Sequence, residues 1–309
     1  MSQPRTLAIC VATYRRSKML MRLLAGIADL VLPEDTRVEL RIIENDAAAT
    51  CEALITNWRN RNPHIPTHYA VQPERNIATT RNLALEMGKA DLYAFIDDDE
   101  TPEPTWLLEL LATMEDGGFD AVFGDVVGEL PASAPRWIRR GKFLSKHVHR
   151  QLGVHRWQAT RTANAIVRGD WLHDRRFDPK FGASGGEDTQ LFRRMATLGA
   201  RFGWAPDARV HESVQAEQCS LAWLFRRYRR SALVYEQIAP RRWPTLRALR
   251  RIAIAGATVC AGLPAMLVGS NTLIFTGCLR FASALGGLDY VAGASHRSLG
   301  NYESAGCES

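Results

Sequence analysis

Short apolar runs alternate with helical patterns over roughly the first 100 residues of the chain. A continuous apolar run predicts a strand that is covered on both faces, and apolar residues three or four positions apart predict an amphipathic helix. Strands are predicted at 6–13, 38–43, 68–71 and 92–96, and helices at 17–32, 49–60 and 79–87. This order predicts an α/β fold with a Rossmann-like, mostly parallel sheet and flanking helices.

Polar residues follow three of the predicted strands at their carboxyl ends. They are Thr13-Tyr14-Arg15, Glu44-Asn45-Asp46 and Asp97-Asp98-Asp99. In doubly wound sheets the ligand lies beyond the carboxyl ends of the strands. The sequence therefore predicts one ligand site to which all three segments contribute.

The pattern becomes irregular after residue 130. We expect a basic loop at 131–153, a strand at 160–167, a helix at 188–198 after a glycine-rich turn, and an arginine-rich helix at 220–237. The 28 residues between Arg251 and Arg280 carry no charge, and at about 1.5 Å per residue they could cross a bilayer.

Glycine, proline and asparagine residues interrupt this uncharged stretch. The interruptions favour a re-entrant or interfacial hairpin over a single span, and a soluble helical hairpin is a further alternative. We therefore divide the chain into an α/β domain at 1–240 and a C-terminal helical segment at 241–309, basic and apolar, that we expect to associate with a membrane.

The 309 residues are 46% hydrophobic and 23% charged, which excludes disordered and collagen-like proteins. The net charge of +6 hides two unlike halves, because residues 1–130 carry a net charge of −9 and residues 131–309 one of +15. An anionic partner is therefore expected at the second half. Six cysteines without a CxxC pair, and an N-terminal apolar run too short for a signal peptide, predict a cytoplasmic protein.

Three adjacent carboxylates, Asp97, Asp98 and Asp99, repel one another unless a cation shares them. Carboxylate oxygens suit Mg²⁺ or Mn²⁺, which proteins hold through one or two carboxylates together with substrate phosphates. A solvated acidic turn is the alternative. His211 could add a nitrogen ligand, although a lone histidine is more often structural.

Glu187 and Asp188 follow two glycines at a predicted helix start. Either a helix cap or a general base presented on a tight turn fits this pattern. Arg81, near the start of the helix before the acidic strand, could contact a phosphate or form a surface ion pair.

Five segments in this order resemble family 2 glycosyltransferases with the GT-A fold, over residues 6 to about 237. They are Ala12-Thr13-Tyr14-Arg15-Arg16, Glu44-Asn45-Asp46, the segment 76–82, Phe95-Ile96-Asp97-Asp98-Asp99-Glu100 with Trp106-Leu107, and Gly185-Gly186-Glu187-Asp188. The acidic block with Trp106-Leu107, the segment 134–137 and the turn at 184–189 are similar, more narrowly, to bacterial glucosyltransferases of succinoglycan-type exopolysaccharide biosynthesis.

The resemblance implies a role for each site residue. Thr13, Tyr14 and Arg15 would border the nucleotide of the donor, and Glu44 or Asp46 would meet its uracil or ribose. The remaining donor-binding residues would be Arg81, Asp97 and Asp98. Asp99, with Asp97 and His211, would hold the cation on the diphosphate. Asp188, or else Glu187, would be the catalytic base.

The resemblance also implies an inverting transfer of a sugar, with glucose favoured, from a UDP-sugar to an oligosaccharide on a polyprenyl diphosphate. Separately, nine arginines against one acid at 222–251 predict that this stretch docks on the anionic cytoplasmic face of the inner membrane, as part of a peripheral or re-entrant protein, with no nucleic acid as partner. Two alternatives stand beside it. One is a metal-dependent nucleotidyltransferase, for which 13–16 lack the usual glycine-rich, lysine-bearing loop. The other is a basic module that binds nucleic acid or membrane, which leaves the acidic strand ends unexplained.

Overall fold

The alternating pattern forms one side of an eight-stranded sheet in the computed structural model of the chain. The structure describes residues 4–144, 157–266 and 271–294. The strands are β1 (Arg5–Thr13), β2 (Thr36–Glu44), β3 (Thr67–Val71), β4 (Leu92–Phe95), β5 (Glu100–Pro102), β6 (Ala121–Glu129), β7 (Ala165–Arg168) and β8 (Phe202–Ser213). The helices are α1 (Ser17–Ala28), α2 (Glu52–Arg61), α3 (Ile77–Glu86), α4 (Trp106–Gly117), α5 (Arg136–Gly141), α6 (Glu187–Thr197), α7 (Leu221–Ile238), α8 (Pro244–Met266) and α9 (Thr272–Val291).

The strands lie in the order β3-β2-β1-β4-β7-β6-β8-β5. The first four are parallel, as the sequence predicts, and β6 is parallel to β8. Strand β7 runs antiparallel to both of its neighbours, β4 and β6, and the short β5 runs antiparallel to β8. The carboxyl ends of β1, β2 and β4 therefore meet at one edge of the sheet.

Alternate residues of the central strand β1 fill two apolar layers, one on each face of the sheet. Leu7, Ile9 and Val11 pack into the layer that includes side chains of α1, α2 and α4. Ala8 and Cys10 pack into the second layer, with side chains of α3 and α6. Burial on both faces explains why this strand reads as a continuous apolar run.

Several boundaries differ from the predicted ones. Helix α1 ends at Ala28 rather than at residue 32, and the strand predicted at 160–167 is confined to β7. The predicted loop at 131–153 contains α5, and its part at 145–156 lies outside the described residues. Helix α4 and strands β6 and β8 were not predicted, although the buried side chains of α4 recur at helical spacing.

Helices α8 and α9 pack against each other, and α9 also packs along α7, across the predicted boundary at residue 240. Small residues allow the close approach, since a Cβ on Gly286 would lie 2.0 Å from the carbonyl oxygen of Arg229. Arg229 donates two hydrogen bonds to the Asp289 carboxylate, at 2.6 and 2.7 Å. Among the residues that the structure describes, no helix is long and apolar enough to cross a membrane.

Candidate active site

A cavity of about 660 Å³ opens at the carboxyl ends of β1 and β4. The segments after these strands form one wall, and residues 158–163 and 182–189 form further walls. The inner face of α7 closes the cavity on another side. The cavity therefore brings together residues of all three polar strand ends, with Asn45 alone from the second, and the glycine-rich turn that the sequence singled out.

The acidic segment after β4 is tied to the segment after β1. Asp98 is buried and accepts hydrogen bonds from the Thr13 hydroxyl at 2.9 Å and from Arg16 Nη1 at 2.8 Å. Arg16 Nη1 also donates to Asp99 Oδ2 at 3.0 Å. Burial raises the pKa of Asp98, although the Arg16 guanidinium opposes the shift. Burial and the neighbouring Asp98 charge raise the pKa of Asp99 to about 7.

Arg81 connects the acidic segment with the start of α6. Its guanidinium donates one hydrogen bond to Asp97 Oδ1 at 3.1 Å and another to Glu187 Oε1. Glu187 is buried, and burial raises its pKa to about 7 against the opposing effect of Arg81. Arg81 therefore does not form the surface ion pair that the sequence left open. It forms two part-buried ion pairs on the cavity wall.

Asp188 lines the same cavity, and its carboxylate contacts backbone groups. Oδ2 accepts a hydrogen bond from Thr162 N at 3.4 Å, and Oδ1 accepts one from Thr189 N at 2.6 Å. Gly186, which has a φ of +97°, occupies the N-cap position of α6. A capping role for Asp188 is therefore wrong. A carboxylate held in this way can accept a proton from a hydroxyl group.

The turn before Asp188 requires glycine at 186. A Cβ there would lie 2.4 Å from Val234 Cγ1 of α7, and a positive φ strains any other residue. Arg193 of α6 also donates a hydrogen bond to the carbonyl of Ile238, at 2.5 Å. Helix α7 is thus fixed against the turn that carries Asp188.

The segment after β2 contributes a different residue to the cavity from the two acids that the sequence predicted. Glu44 is fully buried, and its carboxylate accepts hydrogen bonds from the backbone of Thr50 and Cys51 and from the Tyr69 hydroxyl. Asp46 pairs with Arg15 at 2.5 Å, and hydrogen bonds from Arg15 and from the backbone of residue 48 lower the pKa of Asp46.

Neither of these two acids lines the cavity, and neither does Arg15. Asn45, which lies between Glu44 and Asp46 along the chain, does line it, together with Thr13 and Tyr14 of the first segment. The predicted contact of Glu44 with a nucleotide is therefore corrected. Both oxygens of its carboxylate already accept hydrogen bonds from the protein.

His211 does not join the acidic segment, which corrects its assignment as a metal ligand. Its Nε2 lies 3.2 Å from Glu103 Oε1 and its Nδ1 lies 3.6 Å from Glu129 Oε1, beside a separate surface cleft. The next residue, Glu212, lines the main cavity instead. Successive side chains of a strand point to opposite faces, so the two neighbours cannot share one site.

Sequence reasoning gave no individual role in the site to several residues that line the cavity. They are Arg16, Asn45, Arg75, Arg161, Thr162, Glu212, and Trp223, Arg227 and Arg230 of α7. Arg161 lies in the field of Glu100, Glu212, Asp125 and Asp188, and burial lowers its pKa. Successive side chains of β8 point to opposite faces of the sheet. Once His211 was known to face away from the cavity, this alternation would have placed Glu212 on the cavity side.

The acidic segment fits a divalent cation that is shared with a ligand. In the described part of the chain, no three His, Cys, Asp or Glu side chains converge to enclose an ion on their own. Mg²⁺ and Mn²⁺ do not require such a cage when substrate phosphates supply the remaining oxygens. The pKa of Asp99 is raised by its burial first and by the neighbouring Asp98 charge second, and a cation beside these carboxylates would relieve the charge repulsion.

Comparison with known proteins gives consistent matches. The model of glycosyl transferase family 2 matches residues 8–172, and that of glycosyl transferase family group 2 matches residues 94–292. The chain is 38% identical over 256 residues to succinoglycan biosynthesis protein ExoM of Rhizobium meliloti (strain 1021), a match that covers 81% of this chain and 80% of that protein.

Two solved structures share the fold at low sequence identity. The mannosyltransferase PcManGT from Pyrobaculum calidifontis, in complex with GDP-Man and Mn²⁺, matches with a TM-score of 0.68 and 16% identity over 95% of this chain and 89% of that chain. Residues 1–349 of S. aureus TarS, in complex with UDP, match with a TM-score of 0.54 and 14% identity over 93% and 92%. The chain covers 42% of a longer TarS chain. The expected GT-A-like α/β fold is confirmed.

Proposed function

We propose that this chain, which belongs to glycosyl transferase family 2 and is a glycosyltransferase, transfers a sugar from a UDP-sugar to a lipid-linked acceptor. One observation carries the proposal: Asp97 and Asp99 of the acidic segment line the same cavity as Asp188 on α6. A donor diphosphate at the acidic segment would then have its reacting sugar within the cavity that holds the candidate base.

The choice between Glu187 and Asp188 follows from their partners. Glu187 is buried and bound to Arg81, so a role in positioning that arginine fits it best. Asp188 lines the cavity and is held by backbone N–H groups, which leaves a carboxylate to accept the proton of an acceptor hydroxyl. We therefore assign the base to Asp188. A single displacement with this base inverts the anomeric centre.

The donor diphosphate would lie at Asp97 and Asp99, which are the residues we expect to hold Mg²⁺ or Mn²⁺. A bound divalent cation would stabilise the negative charge that develops on the leaving diphosphate. Arg16 and Arg81 hold the carboxylates in place by their ion pairs. Thr13, Tyr14, Asn45 and the nearby Arg75 form the cavity wall that we expect to border the nucleotide.

The identity to a succinoglycan biosynthesis protein supports a role in exopolysaccharide biosynthesis. Within that role we propose UDP-glucose as the donor and an oligosaccharide on a polyprenyl diphosphate as the acceptor. The basic second half of the chain agrees with an acceptor that carries an anionic diphosphate. Two complexes of similar folds contain nucleotide ligands, UDP in one and GDP-Man with Mn²⁺ in the other.

The exposed face of α8 and α9 supports docking on a membrane surface. Among the described residues, twelve large hydrophobic side chains are exposed, and nine of these lie between Trp243 and Val291. Arg241, Arg242 and Arg250 are also exposed in this region. Exposed apolar side chains beside arginines are typical of helices that lie in the interface of an anionic bilayer. We therefore propose a peripheral position on the cytoplasmic face of the inner membrane.

The direct test incubates the full-length protein and Mn²⁺ with a panel of UDP-sugars and lipid-linked oligosaccharide extracts, and reads the product by mass spectrometry. We expect the acceptor to gain one hexose from UDP-glucose, and we expect nuclear magnetic resonance to show an inverted anomeric configuration. Absence of sugar transfer from every UDP-sugar, with transfer from another nucleotide-sugar, would contradict the proposed donor. A retained configuration would contradict a single displacement.

A further inference from the structure

Helix α7 directs its charged residues to two different surroundings. Arg229 pairs with Asp289 of α9, and Glu236 pairs with Arg247 of α8. Arg227 and Arg230 instead line the main cavity. At about 100° per residue, the latter two lie on the same side of the helix as one another. One face of α7 therefore holds the C-terminal helices, and the other presents guanidinium groups to the cavity.

Three arginines of the cavity wall are bound to, or surrounded by, the protein's own acids. Arg16 is bound to Asp98 and Asp99, and Arg81 is bound to Asp97 and Glu187. Arg161 lies among four further carboxylates. These three arginines fix acidic residues of the site, and the arginines of α7 add positive charge from the helical wall.

Arg227 differs from these arginines in its partner. Its guanidinium carbon lies 5.1 Å from the centre of the Trp223 ring, and Trp223 lines the cavity as well. Among the described residues, no carboxylate forms an ion pair with Arg227. An aromatic ring under a guanidinium orients its plane, while the N–H groups at the edge stay available for two oxygens.

We infer that Arg227, supported by Trp223, forms a diphosphate-binding site on α7. A planar guanidinium donates two parallel hydrogen bonds to phosphate oxygens, which a lysine cannot do. The inference rests on the proposed function, because that function places diphosphates in this cavity. It adds a site on the helical wall, apart from the acidic segment and the segment after β1.

Two ligands of the proposed reaction contain this chemical group. One is the diphosphate of the UDP-sugar, whose negative charge grows as the sugar leaves. The other is the diphosphate that links the acceptor glycan to its lipid. This second source fits the position of α7, because α7 packs against α9, one of the two helices that we propose to dock on the membrane. Two probes separate these sources, namely UDP with Mn²⁺ for the donor and geranyl diphosphate for the head of the acceptor.

The test compares Arg227→Met with Arg226→Met in the full-length protein. Both variants remove one arginine from the same helix, but Arg226 is exposed and does not line the cavity. Calorimetry measures the affinity of each probe. We expect Arg227→Met to weaken one of the two probes by about 10- to 100-fold, the range for a hydrogen bond to a charged group. Arg226→Met should leave both affinities within about twofold.

Arg227→Lys and Trp223→Leu refine the result. Lysine keeps the charge without the planar fork, so it should recover only part of the lost affinity. Loss of the ring should weaken the same probe by several-fold, since the guanidinium loses its orientation. Thermal melting of each variant checks the fold.

Unchanged affinity for both probes in Arg227→Met, with wild-type binding of UDP, overturns this inference and leaves the proposed function standing. A wild-type protein that binds neither probe and transfers no sugar overturns both. Weakened UDP alone identifies the donor as the source of the diphosphate, and weakened geranyl diphosphate alone identifies the acceptor.

Discussion

The acidic segment after β4 and the group of helices α7–α9 both contain ion pairs. The pairs differ in burial and in what they hold together. The side chains of Arg16 and Asp98 are 10% and 6% exposed, whereas those of Arg229 and Asp289 are 37% and 15% exposed. The first pair lies beneath a cavity and organises its wall. The second joins two helices whose other faces expose apolar side chains.

The difference shows how charge can serve either a binding site or an assembly of helices. Buried pairs pay a large desolvation cost and tolerate no missing partner, so they hold side chains in one arrangement. Part-exposed pairs contribute little and can be lost with small consequences. We therefore expect the two regions to respond very differently to substitutions of similar chemistry.

The largest expected effect is on catalysis at the cavity. Asp188→Asn should lower kcat by about 10²- to 10⁴-fold, because it removes the general base, and should retain UDP binding. Glu187→Gln should have a smaller effect on kcat, since it removes one of the two acidic partners of Arg81 and not the proton acceptor. Steady-state kinetics on both variants check this, and near-normal turnover by Asp188→Asn would reassign the base.

The next effect is on stability beneath the cavity. Arg16→Met should lower the free energy of unfolding by about 3–5 kcal/mol, because it leaves Asp98 and Asp99 buried without their cation. The control is Arg5→Met, which removes the more exposed pair with Glu115 and should cost about 1 kcal/mol or less. Urea denaturation measures both values. Equal losses in the two variants would contradict the distinction between buried and exposed pairs.

The exposed face of α8 should matter for membrane association. Leu249 and Ile254 are 54% and 42% exposed, and replacing both with glutamate should weaken pelleting with anionic vesicles by about tenfold or more. The matched control replaces Met21 and Val31 with glutamate, since these apolar residues are also exposed but lie in α1 and just after it, outside the helices α7–α9. If the two double variants pellet equally, the proposed docking surface is wrong.

The smallest effect is expected at the junction of α7 and α9. Arg229→Met should lower the free energy of unfolding by about 1 kcal/mol, because water partly solvates both partners of the pair. The same denaturation measurement places this value beside that of Arg16→Met. A loss as large as that of Arg16 would show that the C-terminal helices depend on buried charge after all.

Part of the sheet could be predicted from the sequence, because burial of a strand on both faces leaves a run of apolar residues. Strands β1 and β4 read as apolar runs, and the sequence singled out the acidic segment after β4 as a candidate site. Helix α4 was missed even though Trp106, Leu110 and Met114 recur on one face. The apolar spacing that predicts a helix was therefore present in the sequence at α4.

Other features depend on contacts that no local pattern reports. Whether His211 or Glu212 faces the cavity depends on the register of β8, which the sequence does not fix on its own. Arg15 adopts a left-handed backbone conformation with a φ of +51°, and Arg16 rather than Arg15 reaches the acidic segment. The cavity-facing residues of α7 could not be chosen from its four arginines without knowing where α9 packs.

The most direct test of the account is a calorimetric titration of the full-length protein with UDP, in the presence and absence of Mn²⁺. We predict saturable binding at one site that strengthens with Mn²⁺, is lost in Asp99→Asn, and is unchanged in His211→Gln. UDP binding of equal affinity with and without Mn²⁺, or no saturable heat at all, would contradict the claim that the carboxylates after β4 hold a cation on the nucleotide.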